Sequence, residues 1–259
     1  MKKLFKILLN NVPRPILIRC SLVARPLLAF ALRGNNFTDP IDGRSFRQFL
    51  PYGYINQRDN VLSPSTLSLE RHRLLWLWLQ NETDFFRATT TKKLLHFAPE
   101  QAFYKRFKKQ KNLDYTTTDL LSPLADVKAD ICNLPFENNA FDIIFCNHVL
   151  EHITTDTIAI RELYRVLKPG GMAILQVPLD QNRATTFFDD SITDTKQRNQ
   201  IFGQYDHVRI YGRDYFDKLR QCGFEVIEEN YTQKIPIELV EKYGLAKGEI
   251  LPVCYKPNI

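Results

Sequence analysis

The chain of 259 residues contains only 10 glycines, and none lies between residues 54 and 169. Loops that hold the phosphates of a dinucleotide need glycines where the backbone approaches the ligand closely. Taken alone, this absence does not suggest nucleotide binding. It also counts against a nicotinamide-dependent oxidoreductase.

Cysteine is also scarce, with five residues that are scattered along the chain and form no Cys-x-x-Cys pair. Such a pattern indicates neither a disulfide framework nor a thiolate metal site. We therefore expect a protein of a reducing cytoplasm, without a metal centre.

Acidic residues are missing from residues 1–34, which carry seven lysines and arginines and account for the net charge of +6. Pro13, Pro15 and Pro26 divide this segment. It therefore has neither the uninterrupted apolar stretch of a signal peptide nor the about 20 apolar residues of a membrane-spanning helix. Two short amphipathic helices are predicted instead. Their apolar faces suit either the surface of an anionic membrane or packing as a lid on the rest of the protein.

The strongest local pattern lies in residues 141–178. Two short apolar runs, Phe141–Cys146 and Met172–Val177, have the composition of strands that are buried on both faces of a parallel sheet. Between them, apolar residues recur at helical spacing from 159 to 167, and a Pro-Gly-Gly sequence at 169–171 ends the helix. The pattern predicts a βαβ unit.

Polar side chains follow the first of these strands directly, namely Asn147, His148, Glu151 and His152. In parallel sheets, ligands bind beyond the carboxyl ends of the strands, so this cluster faces the expected site. The alternative is that these residues only cap a helix.

Several linked motifs in this region resemble class I S-adenosylmethionine-dependent methyltransferases, most closely those of quinone biosynthesis. They are Leu134-Pro135-Phe136, Phe141-Asp142-Ile143-Ile144, the segment His148–His152, and the sequence RELYRVLKPGG at 161–171. The resemblance implies an α/β, Rossmann-like fold over residues 91–259, with a mixed seven-stranded sheet and helices on both faces. It also implies S-adenosylmethionine as the cofactor and methyl transfer as the reaction.

The first cofactor-binding turn departs from the family. After the predicted strand Lys92–Phe97, methyltransferases carry an acidic residue and alternating glycines, where this chain has HFAPE at 96–100. By resemblance, His96, Ala98 and Glu100 occupy the cofactor site, with Glu100 as an acceptor for the cofactor's ammonium group. The alternative is that Glu100 is an ordinary acid in the first turn of a helix.

The next strands carry the remaining cofactor residues. The second strand, Asn112–Thr118, is followed by Asp119, about 20 residues beyond the first turn, where a carboxylate can accept from both ribose hydroxyls. The resemblance assigns the grip on adenine to Asp130 and Ile131 at the end of the third strand. Asn147, after the following strand, completes the predicted cofactor set.

The acceptor side is expected in the carboxy-terminal part. Residues 180–204 are predicted to form a helical insertion over the site. His207, in a His-x-Arg segment, is a candidate base, with a buried structural role as the alternative. His148 is the second catalytic candidate. The last strand, Ile250–Tyr255, should be antiparallel and internal by resemblance, and Pro252 predicts a bulge in it.

Residues 35–90 are predicted to hold a zinc-ribbon-like segment without zinc, followed by a linking helix. Some methyltransferases of this kind carry a four-cysteine zinc knuckle, and cysteines at Asp39, Asp42, Ser63 and Thr66 would reproduce its spacing. Carboxylates and hydroxyls alone are poor zinc ligands, so we predict a metal-free relic. Coincidental spacing is the alternative.

These observations predict a chain of three parts: a basic helical extension (1–34), the zinc-ribbon-like segment with its linking helix (35–90) and a methyltransferase domain (91–259). We expect a small or lipid-like acceptor and a peripheral contact of the extension with the inner face of the membrane. A basic cluster at 105–111 lacks the aromatic platform of a nucleic-acid site, so no nucleic acid is expected. The alternative function is a non-catalytic S-adenosylmethionine-binding or scaffold protein.

Overall fold

A computed structural model describes residues 24–53, 57–122 and 125–258. The predicted amphipathic helices therefore lie largely outside these ranges, in residues 1–23. The described end of that segment is helical over residues 24–31 (α1). Among the described helices, none is long and apolar enough to cross a membrane.

The described residues divide into two compact units. The first runs to Phe86 and includes Asn230–Glu249, and the second contains Arg87–Glu229 and the residues from Ile250 onwards. The division after Phe86 is close to the predicted boundary at residue 90. The sequence, however, predicts residues 230–249 within the catalytic domain, whereas the structure packs them with the first unit.

The first unit contains two antiparallel two-stranded sheets and a long helix. Its elements are β1 (Arg33–Thr38) paired with β2 (Ser45–Phe46), β3 (Leu50–Tyr52) paired with β4 (Arg58–Leu62), and helix α2 (Glu70–Glu82). Leu74, Leu75 and Leu79 of α2 are fully buried. The leucine-rich linking helix expected from the composition is therefore present.

Arg73 on α2 is completely buried and accounts for the place of residues 230–249 in this unit. Its guanidinium donates to the carbonyl oxygens of Tyr243 (2.7 Å) and Gly244 (2.7 Å), and also to that of Ser68 (2.7 Å). Burial lowers the pKa of Arg73 to about 10, which leaves it charged at neutral pH. Contacts between residues so far apart in the chain leave no local pattern in the sequence.

Asp39 is the centre of the segment with zinc-ribbon spacing. Its fully buried carboxylate accepts hydrogen bonds from the Thr66 hydroxyl, the Ser68 hydroxyl (3.1 Å) and the Ile41 amide (2.9 Å). Hydrogen bonds therefore join three of the four positions in the folded chain, since the Thr66 hydroxyl donates to Asp39 and the Thr66 amide donates to the Ser63 hydroxyl (3.5 Å). Kinship with a zinc ribbon stays a prediction.

The second unit is built on a mixed seven-stranded sheet. In chain order, the unit's strands are β5 (Lys92–Phe97), β6 (Leu113–Asp119), β7 (Val127–Lys128), β8 (Phe141–Cys146), β9 (Leu167–Ile174), β10 (Phe187–Phe188), β11 (Arg209–Ile210), β12 (Glu225–Glu229) and β13 (Leu251–Tyr255). The sheet has the order β12-β13-β9-β8-β5-β6-β7, while β10 and β11 pair separately. β5 to β9 run parallel, and β13 lies antiparallel between β9 and β12. The predicted α/β fold with an internal antiparallel last strand is confirmed.

Helices connect these strands. They are α3 (Gln101–Phe107), α4 (Asp156–Val166), α5 (Thr195–Phe202) and α6 (Tyr215–Gln221). Ala159, Leu163 and Val166 of α4 are fully buried, so the apolar face read from the sequence packs against the core. The predicted insertion at 180–204 contains α5, but its earlier part includes β10, which pairs with β11.

Pro252 does not produce the predicted bulge. β13 pairs with β12 in unbroken register through this residue, and with β9 from Val253 opposite Ile174. The Pro252 carbonyl accepts from the Leu175 amide (3.2 Å), while the Leu175 carbonyl accepts from the Tyr215 hydroxyl (2.8 Å). A buried tyrosine hydroxyl thus supplies the donor that proline lacks, and the prediction of a bulge is wrong.

Candidate functional site

Four of the predicted cofactor residues lie at the carboxyl ends of neighbouring parallel strands. Ala98 follows β5, Asp119 ends β6, Asp130 comes two residues after β7, and Asn147 follows β8. These strands are adjacent in the order β8-β5-β6-β7, so the four residues lie along one edge of the sheet. This is the edge at which open α/β sheets bind ligands.

The turn after β5 is built without glycine. Ala98 has a φ of +45°, in the left-handed region that a glycine would normally occupy, and its amide donates to the Thr118 carbonyl (3.0 Å). His96, fully buried, contacts the Tyr115 hydroxyl through Nδ1 (2.8 Å) and the Glu100 carboxylate through Nε2. Burial and the nearby Glu100 raise the pKa of Tyr115, so its hydroxyl stays protonated. The buried His96 therefore holds the Glu100 carboxylate in place.

Asn147 holds the same carboxylate from β8. Its Nδ2 donates to Glu100 Oε1 (3.2 Å), and its side chain is almost completely buried. Among the described residues, the buried Asn147 Oδ1 has no hydrogen-bond partner. A buried acceptor without a donor is costly unless a ligand supplies one, and the ammonium group of S-adenosylmethionine is a donor of the right kind. Glu100 and Asn147 thus fit the amino acid part of that cofactor.

Asp119 shapes the loop after β6. Its Oδ1 accepts from the amides of Leu121 (2.7 Å) and Ser122 (2.6 Å). Both bonds use the same carboxylate oxygen. A carboxylate fixed in this way fits the ribose hydroxyls of the cofactor.

Asp130 and Ile131 differ in their surroundings. Asp130 is exposed, and its Oδ1 accepts from the Cys132 amide (2.9 Å). Ile131 is buried within the hydrophobic core of the second unit. Their roles at the adenine ring stay predictions.

A second cluster surrounds Glu151, which is 1% exposed and lies in a short 3₁₀ helix, Leu150–His152, within the loop after β8. His148 has a φ of +55°, and its amide donates to the Gln176 carbonyl (2.8 Å). This backbone places His148 Nδ1 at 3.3 Å from Glu151 Oε1. A non-glycine residue in this conformation is strained, and such strain is concentrated at functional sites.

His207 completes this cluster from a distant part of the chain. Its Nδ1 donates to the Phe202 carbonyl (3.3 Å), and its Nε2 lies 4.0 Å from Glu151 Oε1. The His207 ring packs edge-on against that of His152, with the ring centroids 4.8 Å apart. The sequence had named Glu151 and His152 only as polar residues after a strand, because their approach to His207 depends on the fold.

Burial and the charges of neighbouring side chains in this cluster determine the pKa values of Glu151 and His207. Burial lowers the pKa of His207, although the charge of Glu151 opposes the shift. Burial alone would raise the pKa of Glu151, but the hydrogen bond and charge of His148, with the charge of His152, hold it below its usual value. Near neutral pH the cluster therefore contains a carboxylate and a neutral His207.

The segment that carries His207 is anchored by the residue two positions later. Arg209 donates to the carbonyl oxygens of Ile153 (2.6 Å) and Thr154 (2.9 Å) and forms an ion pair with the buried Asp156. The Val208 amide donates to the Glu151 carbonyl (3.0 Å). These bonds hold the histidine segment against the loop that contains Glu151.

Comparison with known proteins finds a similarity over the central part of the chain. Residues 85–175 match the family described as "Methyltransferase domain". Demethylmenaquinone methyltransferase of Staphylococcus carnosus is 42% identical over 57 residues, which are 22% of this chain and 24% of that enzyme. The chain therefore spans about a quarter of the length of that relative.

A solved structure shows a fold-level similarity. It is 1,6-didemethyltoxoflavin-N1-methyltransferase of Burkholderia thailandensis with bound 1,6-didemethyltoxoflavin and S-adenosylhomocysteine. The similarity has a TM-score of 0.48 at 13% identity and covers 73% of this chain and 78% of that one.

The family match and the sheet agree with each other. The matched residues 85–175 contain β5 to β9, and the remaining strands add the internal antiparallel β13. Residues 85–175 are thus similar to the methyltransferase domain family, and the sheet that contains them has the seven-stranded mixed order expected from the resemblance to class I S-adenosylmethionine-dependent methyltransferases.

Proposed function

We propose that this protein transfers a methyl group from S-adenosylmethionine to a small or amphipathic acceptor. The observation that carries the proposal is the alignment of Ala98, Asp119 and Asn147 along one edge of the sheet, with Glu100 held beside Asn147. Within the proposal, Glu100 and Asn147 bind the ammonium group and Asp119 binds the ribose. The cofactor itself supplies the activated methyl group, on a sulfonium sulfur.

The chain's own part in the reaction is mainly to position the acceptor. Because the methyl group is already activated, most of the rate enhancement comes from orientation, and a base is needed only to remove a proton from the acceptor. His148 and His207, which both face Glu151, are the candidate bases. The depressed pKa of His207 leaves its imidazole neutral and able to accept a proton near neutral pH.

The choice of acceptor is supported by two features of the sequence. A curated relative that shares a short segment is the demethylmenaquinone methyltransferase of Staphylococcus carnosus. Residues 1–34 carry seven cations and no acid. We therefore propose a lipid-like or small acceptor, reached by a peripheral contact with the cytoplasmic face of a membrane, and no role for nucleic acid.

Calorimetry with S-adenosylmethionine tests the cofactor site. Asp119→Ala should weaken binding by about 1–3 kcal/mol, because it removes the carboxylate that, in the proposal, accepts hydrogen bonds from the ribose hydroxyls. Asp114→Ala, an exposed acid at the other end of β6, is the matched control and should bind normally. Equal affinities in the two variants would remove Asp119 from the site.

Turnover separates the enzyme from the alternative of a non-catalytic scaffold. Release of S-adenosylhomocysteine should be measured with demethylated quinols and with other small amphipathic acceptors. Acceptor-dependent release supports the proposal. Tight cofactor binding without release for any acceptor would favour the scaffold.

A further inference from the structure

Glu151, His152 and His207 bring three potential metal ligands to one place outside the cofactor residues. One ligand atom from each lies within 4.8 Å of the ligand atoms of the other two. We name these three residues the Glu151 cluster. From this arrangement we propose that the Glu151 cluster binds a divalent transition-metal ion.

The geometry of the cluster is close to that of a metal site. Bonds from zinc to imidazole nitrogen and carboxylate oxygen are about 2.1 Å long, so two ligand atoms of a tetrahedral site lie about 3.4 Å apart. His207 Nε2 and Glu151 Oε1 are already 4.0 Å apart. The widest spacing in the cluster, up to 4.8 Å, exceeds this separation, so binding of an ion requires the side chains to move closer together.

Both histidines are oriented as metal ligands usually are. A ligating imidazole commonly donates its second ring N–H to a carbonyl or carboxylate, which fixes the tautomer. His207 donates through Nδ1 to the Phe202 carbonyl (3.3 Å), and His152 Nδ1 lies 3.2 Å from the Asp206 carbonyl. In each ring, Nε2 is then the nitrogen that keeps its lone pair.

The Glu151 carboxylate is buried, and one of its oxygens could still bind a cation. The residue is 1% exposed, and its Oε2 has no hydrogen-bond partner within the described residues. A buried carboxylate is costly unless it is paired, hydrogen-bonded or bound to a metal. His148 partly meets this need at 3.3 Å and positions the carboxylate.

The ligand set indicates the class of ion. Two imidazoles and one carboxylate suit zinc, iron, cobalt or nickel better than magnesium or calcium, which prefer oxygen ligands. Three protein ligands also leave coordination positions open, as catalytic rather than structural sites do. On the proposed function, an ion here would make His207 a ligand and leave His148 as the candidate base.

Cobalt is the probe for this site, because its visible absorption reports direct coordination. The full-length protein, treated with a chelator and desalted, should bind about one Co²⁺ per chain, measured by absorption and by elemental analysis. Glu151→Gln and His207→Gln should each weaken Co²⁺ affinity at least about tenfold. His152 is partly exposed, so His152→Gln is the ligand variant that disturbs packing least.

Asp217→Asn is the control, since Asp217 is an exposed carboxylate on α6 whose loss should leave Co²⁺ affinity unchanged. Absence of saturable Co²⁺ binding by the wild-type protein would overturn the proposal. Wild-type affinity in all three ligand variants would also overturn it, because the ion would then bind elsewhere. Cofactor affinity, measured separately by calorimetry, keeps this outcome distinct from failure of the proposed methyl transfer.

Discussion

At the scale of the residue, burial decides what a titratable side chain does. Glu100 and Glu151 are both carboxylates after strands of one sheet, yet each is held by its own histidine, His96 or His148. In the first unit, burial is the largest influence on the pKa of Glu249. Burial raises its pKa, and the charge of Arg71 only partly opposes the shift.

This shift predicts how stability depends on pH. An acid whose pKa is raised on folding is destabilising when ionised, so stability should increase as pH falls through the folded pKa and level off below the unfolded value of about 4.5. Glu249→Gln should therefore raise the melting temperature at neutral pH, with a gain that vanishes near pH 4. Thermal unfolding from pH 4 to 8 measures this, with Glu238→Gln, an exposed acid of the same unit, as control. A gain that is the same at every pH would contradict the assignment.

At the scale of the element, the central sheet accommodates a proline because a residue of a neighbouring helix supplies the missing hydrogen-bond donor. Pro252 lies within β13, an internal strand, where proline removes a ladder donor. Tyr215, at the start of α6, donates instead to the Leu175 carbonyl (2.8 Å). Helix and strand are thus joined by one buried hydrogen bond.

Removal of that donor should destabilise the protein. Tyr215→Phe keeps the ring but leaves the Leu175 carbonyl without it, which should lower the free energy of unfolding by about 1–3 kcal/mol. Urea denaturation gives the value. Tyr255→Phe, a half-buried tyrosine on β13 itself, is the control and should change it by no more than about 0.5 kcal/mol. Equal effects in both variants would mean that the Tyr215 hydroxyl does not replace the ladder bond.

At the scale of the whole molecule, the basic extension is the segment for which we propose a membrane contact. Ala29 of helix α1 and Leu32, directly after it, are buried in the core of the first unit, while Leu27 (73%) and Phe30 (68%) are exposed. The described end of the extension therefore buries some of its apolar residues in the protein and exposes others to solvent. Since Ala29 and Leu32 contribute to the core, a truncation that tests membrane contact should stop at residue 23.

Vesicle co-sedimentation tests this contact. The full-length protein should bind vesicles that contain anionic lipid and should bind them less at high salt, because salt screens the cations but not the inserted apolar side chains. Removal of residues 1–23 should greatly reduce binding while the affinity for S-adenosylmethionine is unchanged. If the full-length protein does not bind anionic vesicles at low salt, the lid is the better interpretation, and the truncation should then reduce stability.

The sequence by itself determined the elements that depend on local pattern. The run Phe141–Cys146 and the apolar face from Ala159 to Val166 predicted a βαβ unit. Such a prediction is possible because the spacing of apolar residues along the chain follows the period of the strand or helix that buries them. The linked motifs extended this to the seven-stranded sheet. Asp119 could likewise be predicted at the end of its strand, since strand ends follow from the same pattern.

Only the tertiary structure decided the contacts between distant segments. It placed His207 beside Glu151 and brought the guanidinium of Arg73 to the carbonyl of Tyr243. It also brought the Tyr215 hydroxyl to the Leu175 carbonyl, to which Pro252 cannot donate. None of these pairs shares a local periodicity, because each depends on how whole elements pack and on which buried polar atom needs a partner. The sequence therefore predicted the fold, whereas the candidate metal site became visible only when the chain was folded.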